Sequence, residues 1–130
     1  MADEELKPYR KLALLGDYNI ATYTIRQRES VPCWCRIRNA RFQALQALGL
    51  QDSFRLFEQP EKTYSWWDYR MLGFRRNQGL RIDHILLTAP LAQAQACTCS
   101  IVDREMRKLE RPSDHAPVVA EIDLADVSFA

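Results

Sequence analysis

The chain reads as one mixed domain of the α/β or α+β layered class, on three observations. Short apolar runs of strand length (Leu12–Leu15, Ile85–Leu87 and Val118–Ala120) each adjoin a compact polar group. Those groups are Gly-Asp-Tyr-Asn at Gly16–Asn19, Gly-Leu-Arg-Ile-Asp-His at Gly79–His84 and Ser-Asp-His-Ala-Pro-Val at Ser113–Val118. Between the runs, Ala40–Leu48 carries apolar residues at helical spacing, and mixed strands and helices call for stacked layers around one core. With 130 residues, 47% of them apolar, the chain can bury such a core as a single domain.

The elements follow in order. Asp3–Tyr9 suits the last turns of a helix ending near Pro8. Lys11–Leu15 is a buried strand that leads into a turn at Gly16. In the Ala40–Leu48 helix, Phe42, Leu45 and Leu48 share a face, and Gly49 supplies the stop. Leu50–Phe57 is a strand end or helical turn, Tyr64–Tyr69 is aromatic and β-like, and Gly73–Gly79 is a basic loop. Leu80–Leu87 is a strand, Ala89–Leu91 starts a short helix, and Ala96–Asp103 is a further strand. Pro112 and Ser113 form a loop before the last strand, Ala116–Leu124.

The net charge of +1 does not announce a nucleic-acid binder, but Arg70, Arg75, Arg76 and Arg81 lie close in sequence and suit a patch that follows phosphates. No apolar run is long enough to span a bilayer. The acidic start Met1–Lys7 lacks an apolar signal core, so a cytoplasmic protein is expected. The cysteines pair as Cys33-x-Cys35 and Cys97-x-Cys99. That spacing is narrower than a zinc knuckle, so buried free thiols are the better reading, with Cys97 and Cys99 on one side of a strand.

Placed at strand ends, Asp17, Asn19, Asp83, Asp114 and His115 would converge on one rim of a sheet. Carboxylates, an amide and an imidazole in that arrangement can bind a divalent cation, orient a water and stabilise a phosphate under attack. His84 neighbours Asp83, but strand alternation turns it to the opposite face, so it receives no chemical role.

These pieces also carry a resemblance. They are Lys11–Ala21 (Lys-Leu-Ala-Leu-Leu-Gly-Asp-Tyr-Asn-Ile-Ala), Phe42–Phe57 with its Leu-Gly-Leu-Gln-Asp-Ser-Phe-Arg, and Tyr64–Arg70 (Tyr-Ser-Trp-Trp-Asp-Tyr-Arg). Asn77–Leu87 (Asn-Gln-Gly-Leu-Arg-Ile-Asp-His-Ile-Leu-Leu) and Arg111–Val118 (Arg-Pro-Ser-Asp-His-Ala-Pro-Val) complete the set. In this order they resemble the C-terminal half of bacterial exonuclease III-type enzymes, the apurinic/apyrimidinic (AP) endonuclease branch of the endonuclease/exonuclease/phosphatase superfamily.

The resemblance implies half of a four-layer α/β/β/α sandwich. It implies Mg²⁺- or Mn²⁺-dependent hydrolysis of double-stranded DNA at abasic sites and from 3′ ends, by a monomer. Asp17 would orient or deprotonate the water, Asn19 would hold the phosphate, and His115 would contact it with Asp83 as carboxylate partner. Asp17, Asn19, Asp114 and His115 would form the metal side. Trp66, Leu80 and Ile82 would line a pocket for a base-free sugar, with Arg70 and Asn77 also binding substrate. A small-molecule phosphatase or phosphodiesterase of the superfamily, and a non-catalytic DNA-binding remnant, are the alternatives. The aromatic Trp66–Tyr69 segment and basic Arg75–Arg76 loop favour a DNA groove.

Two departures bear on these expectations. The family's first half has no counterpart here, and it supplies a metal-binding glutamate plus asparagine and tyrosine groups near the phosphate. The chain is therefore expected to be a partial domain, inactive alone, with one sheet face uncovered. In addition, Thr22–Asn39 is atypical between two matching flanks. Back-translated with freely chosen GC-rich codons and read one base early, Cys33–Asn39 can encode Val-Leu-Val-Ser-Asp-Pro-Glu-Arg, using the last base of the Pro32 codon, and Thr22–Arg28 can encode Asp-Val-His-Asp-Pro-Ala-Ala; both resemble the family. The expectation is an out-of-frame segment between a lesion after Ala21 and a restoring one near Arg41, which sequencing the gene decides.

Overall fold

A computed structural model describes residues 11–21, 33–93 and 96–125. The N-terminal helix expected at Asp3–Tyr9 and most of the atypical segment lie outside the described residues. Seven strands are present among them: β1 (Ala13–Asp17), β2 (Gln51–Asp52), β3 (Trp66–Trp67), β4 (Gly79–Leu80), β5 (Asp83–Leu87), β6 (Cys97–Val102) and β7 (Val118–Ile122). Helix α1 is Cys33–Ala47 and α2 is Ala89–Ala92; single 3₁₀ turns cover Ser53–Leu56 and Arg104–Lys108.

The centre of the fold is β5. It lies between β1 and β2, antiparallel to both, with Ala13 opposite Leu87 and Asp17 opposite Asp83. A central strand with both faces covered needs apolar residues at successive positions, and Ile85-Leu86-Leu87 supplies them. Alternation then divides the core. Ile85 and Leu87 pack with Leu91, Ala96 and Cys97 and against Val118, Ala120 and Ile122 of the β6–β7 ribbon. Leu86 points the other way, into Phe42 of α1, Leu50 and Ile20. The layers therefore run helix, sheet, ribbon. Truncating a fully buried leucine such as Leu86 to alanine costs about 2–5 kcal/mol, so these two clusters supply much of the fold's stability.

Helix α1 starts seven residues before the expected Ala40. Its C-terminus is as expected: Gly49 adopts a left-handed φ of 100° and donates its N–H to the Gln46 carbonyl. Phe42 is buried as read, but Leu48 lies past the last turn and is exposed, which corrects its place on the buried face.

The predicted strand Leu80–Leu87 proves to be two. Leu80 pairs with Trp66 and Asp83 with Asp17, so the extended run changes sheets across Arg81-Ile82. Gly79 opens this run because nothing larger fits: a Cβ there would lie 2.5 Å from the Trp66 carbonyl oxygen and 2.7 Å from the Trp67 ring. A register shift between Cys97 and Cys99 also breaks the simple alternation of β6. Cys97 is buried while Cys99 is half-exposed, instead of the two sharing one environment. The last strand is shorter than read, because Ala116 pairs its N–H with the Ser65 carbonyl before β7 begins.

Coverage of the sheet is uneven. Leu15 shares the face of its register partner Ile85, yet Leu15 is 67% exposed. On the outer side of the ribbon, the register pair Ile101 and Val119 is also exposed.

Candidate active site

The site forms where β1 ends, β5 begins and the Pro112–His115 loop crosses between them. Register pairing alone puts Asp17 opposite Asp83. Parity puts both on the ribbon side of the sheet, since Asp83 is two and four residues before Ile85 and Leu87. The third member arrives through the aromatic hairpin. Trp66 bridges His115, the Trp67 N–H donates to the Asp114 carbonyl (3.1 Å), and the Tyr69 hydroxyl donates to the Pro112 carbonyl (2.6 Å).

His115 Nδ1 then lies 2.9 Å from Asp83 Oδ2, and its Nε2 lies 3.8 Å from Asp17 Oδ2. An ionised Asp83 accepts a hydrogen bond from Nδ1–H, which directs Nε2 toward Asp17 and the solvent. Asp17, Asp83 and His115 each bring one ligand atom within 4.8 Å of the others, a group that could hold a metal ion. Two carboxylates at opposed strand positions repel, and a divalent cation between them would offset that repulsion. Oxygen donors of this kind suit Mg²⁺, which keeps several waters and binds through one or two carboxylates plus substrate phosphate.

The backbone is fixed on both sides. Ser65, fully buried, accepts from the N–H groups of Ile82 (3.0 Å) and Asp83 (3.1 Å) through its hydroxyl oxygen. Asn19 holds a left-handed φ of 52°, and its N–H donates to Asp17 Oδ1 at 2.9 Å. Asparagine tolerates this conformation better than most residues, consistent with its place in the turn two residues past the end of β1.

Other expected residues fall in different places. Asp114 is not in the three-residue group; its Oδ2 accepts from Trp66 Nε1 at 3.0 Å, so it orients the indole. Trp66 and Leu80 stand side by side as a register pair next to buried Ile82. Arg70 lies outside on the surface, forked onto Asp68, whose carboxyl it holds down at about 2. Asn77 braces the hairpin from within, accepting from Trp67 Nε1 (3.1 Å) and donating to the Lys62 carbonyl (3.1 Å).

The proposed patch loses one member. Arg81 is only 7% exposed and forms a 2.7 Å ion pair with buried Asp52, so proximity in sequence does not bring it to Arg75 and Arg76 on the surface. His84 faces away from Asp83, as alternation requires, and burial holds its imidazole below the ordinary pKa. The sequence reading missed Ser65 and Arg107. Arg107 is buried with its guanidinium over the Phe74 ring (4.8 Å) and the Tyr69 ring (5.3 Å), tying the hairpin to the segment before Pro112. A serine before two tryptophans, or one arginine among several, carries no local signal of such placement. Among the described residues, no helix is long and apolar enough to cross a membrane.

Known proteins share this arrangement of chain. Exodeoxyribonuclease III of Haemophilus influenzae is 47% identical over 83 residues, 63% of this chain and 30% of that protein. An exodeoxyribonuclease of Bacillus subtilis is 32% identical over 121 residues, 88% of this chain and 45% of its own length. Among solved structures, a Neisseria 3′ phosphatase bound to a product DNA hairpin superposes with a TM-score of 0.80 at 40% identity, covering 94% of this chain and 49% of that one. An AP endonuclease from Archaeoglobus fulgidus gives 0.79 at 30% identity, covering 94% and 51%. The chain thus spans about half the length, or less, of these relatives and has the fold of the corresponding part. The family model for endonucleases, exonucleases and phosphatases matches residues 2–115, and this chain belongs to the Endonuclease/Exonuclease/phosphatase family.

Proposed function

We propose that this chain carries one half of the active site of a DNA-repair nuclease that hydrolyses phosphodiesters at abasic sites and at 3′ ends. The observation that carries the reading is the Asp83–His115 pair, 2.9 Å apart, with Asp17 completing a three-residue group at the sheet rim.

Each residue has a chemical part. Asp17, partly exposed, orients a water and accepts its proton as the water oxygen bonds to phosphorus. Asn19 offers its amide to a non-bridging phosphate oxygen. In its doubly protonated form His115 donates Nε2–H to the same phosphate, while Asp83 accepts from Nδ1–H, fixes the ring and offsets its positive charge. Mg²⁺ or Mn²⁺, held by Asp17 and Asp83 and bordered by His115, would neutralise charge developing on the phosphate as the bond to the leaving oxygen breaks. Asp114 acts through Trp66, which with Leu80 and Ile82 would form an apolar wall that accepts a sugar lacking its base.

The same reading makes the chain a partial domain. Exposed Leu15, on the face that carries Asp17, suits an apolar contact with a further segment matching the rest of the relatives' length. The test is cleavage of an abasic duplex by the chain alone and after mixing with the complementary part of a relative, with Mg²⁺ and with EDTA. The expected result is cleavage only in the Mg²⁺ mixture, abolished by Asp17→Asn. Salt-sensitive duplex binding without cleavage would instead favour a non-catalytic remnant, and turnover of soluble phosphoesters alone a small-molecule phosphatase.

A further inference from the structure

Behind the candidate site, on the opposite face of β5, lies a buried polar chain that the proposed chemistry does not use. Asp52, Arg81 and His84 are all buried, His84 being 1% exposed. Arg81 donates twice to Asp52, from Nη2 to Oδ2 (2.7 Å) and from Nη1 to Oδ1 (3.3 Å). The same Nη1 lies 3.1 Å from His84 Nδ1. A guanidinium can only donate, so Nδ1 must be the acceptor and the ring proton sits on Nε2. His84 Nε2–H then donates to the Ile20 carbonyl at 2.6 Å.

This end point matters because of what Ile20 borders. Tyr18 donates its N–H to the Ile82 carbonyl at 3.0 Å, one residue before Asn19, and Ile20 is tethered one residue after it. Asn19, left-handed at φ 52°, is thus held between two anchors. The Tyr18 and Phe42 rings pack on the imidazole, with centroids 5.7 Å and 4.8 Å away, and limit its rotation.

We propose that Asp52, Arg81 and His84 are positioning residues that fix the Asp17–Ile20 segment through the Ile20 carbonyl and so aim Asp17 and Asn19. The proposal rests on the functional reading above only for what that aim serves. Groups hydrogen-bonded directly to metal ligands commonly change metal affinity or activity 10–100-fold when removed; His84 acts one step further out, through the Ile20 backbone, so the lower end of that range is expected.

The experiment uses the full chain labelled with ¹⁵N, comparing wild type, His84→Phe and His84→Gln. Phe keeps an aromatic ring and removes both hydrogen bonds, whereas Gln retains a donor for Ile20. In wild type the His84 ring should be the neutral Nε2–H tautomer. In H84F the Asn19, Ile20 and Ala21 amides should shift and lose exchange protection, with substantial recovery in H84Q. Affinity for Mn²⁺, measured by relaxation enhancement, should fall about 10-fold in H84F and recover in H84Q. An Nδ1–H tautomer in wild type, or unchanged loop amides in folded H84F, overturns the positioning role. If wild type binds no Mn²⁺ either alone or mixed with the complementary part of a relative, while the amide changes appear as stated, the positioning role stands and the metal-dependent reading fails.

Discussion

Asp83 and His115 lie 32 residues apart in the chain, yet Oδ2 and Nδ1 meet at 2.9 Å. Neither side chain reaches this position unaided. Asp83 is held by strand pairing with Asp17 and by Ser65, and His115 by its bridge to Trp66. The geometry of the candidate site therefore depends as much on the aromatic hairpin as on the acids.

Asp83→Asn preserves shape and removes the charge that fixes the His115 ring. In the reconstituted nuclease, cleavage of abasic duplex should fall on the order of 10²–10⁴-fold, with duplex affinity changed much less. Single-turnover kinetics beside a binding titration separates the two; an equal loss in both would indicate a collapsed site instead.

Ser65→Ala removes the one hydroxyl that accepts from both the Ile82 and Asp83 N–H groups. Leaving buried donors without an acceptor costs on the order of 1–3 kcal/mol. Urea denaturation should register a loss of this size at an unchanged m-value.

Arg81→Ala strands the Asp52 carboxylate in the interior, and breaking a buried pair this way costs roughly 3–5 kcal/mol. The double replacement Asp52→Leu with Arg81→Met should recover much of that stability. Thermal melts of the single and double variants check it; a double variant as unstable as the single would mean that the loss comes from packing or from the orphaned Phe54 N–H and His84 Nδ1, not from unpaired charge.

The Asp68 carboxyl should titrate near a pH of about 2, below its ordinary 3.8, because the Arg70 side chain bonds to its charged form. A depressed carboxyl stabilises the fold above its ordinary value, and that contribution fades as pH falls through about 2. Both partners are solvent-exposed, so the effect on global stability should be slight. Carbon-detected NMR titration of Arg70→Gln should return the midpoint to the ordinary range.

Much of this was legible in the residues. The apolar runs at Leu12–Leu15 and Ile85–Leu87 and the glycine stop at Gly49 report local backbone preference, which needs no knowledge of distant partners. His84 was turned from Asp83 by alternation alone. Less local features were hidden. Leu80–Leu87 reads as one strand because extended backbone looks alike whichever sheet it joins. Arg81 reads as a surface cation because its buried partner is 29 residues away.

By itself, the sequence determined the resemblance to the family, through motifs standing in family order, while local residue spacing determined the apolar runs of β1 and β5 with Asp17 and Asp83 at their ends. Only the tertiary structure decided that His115 joins Asp17 and Asp83 while Asp114 turns to Trp66, and that Arg81 serves the interior. Those choices depend on register, on which face is desolvated and on which buried polar atoms find partners, and long-range packing sets all three.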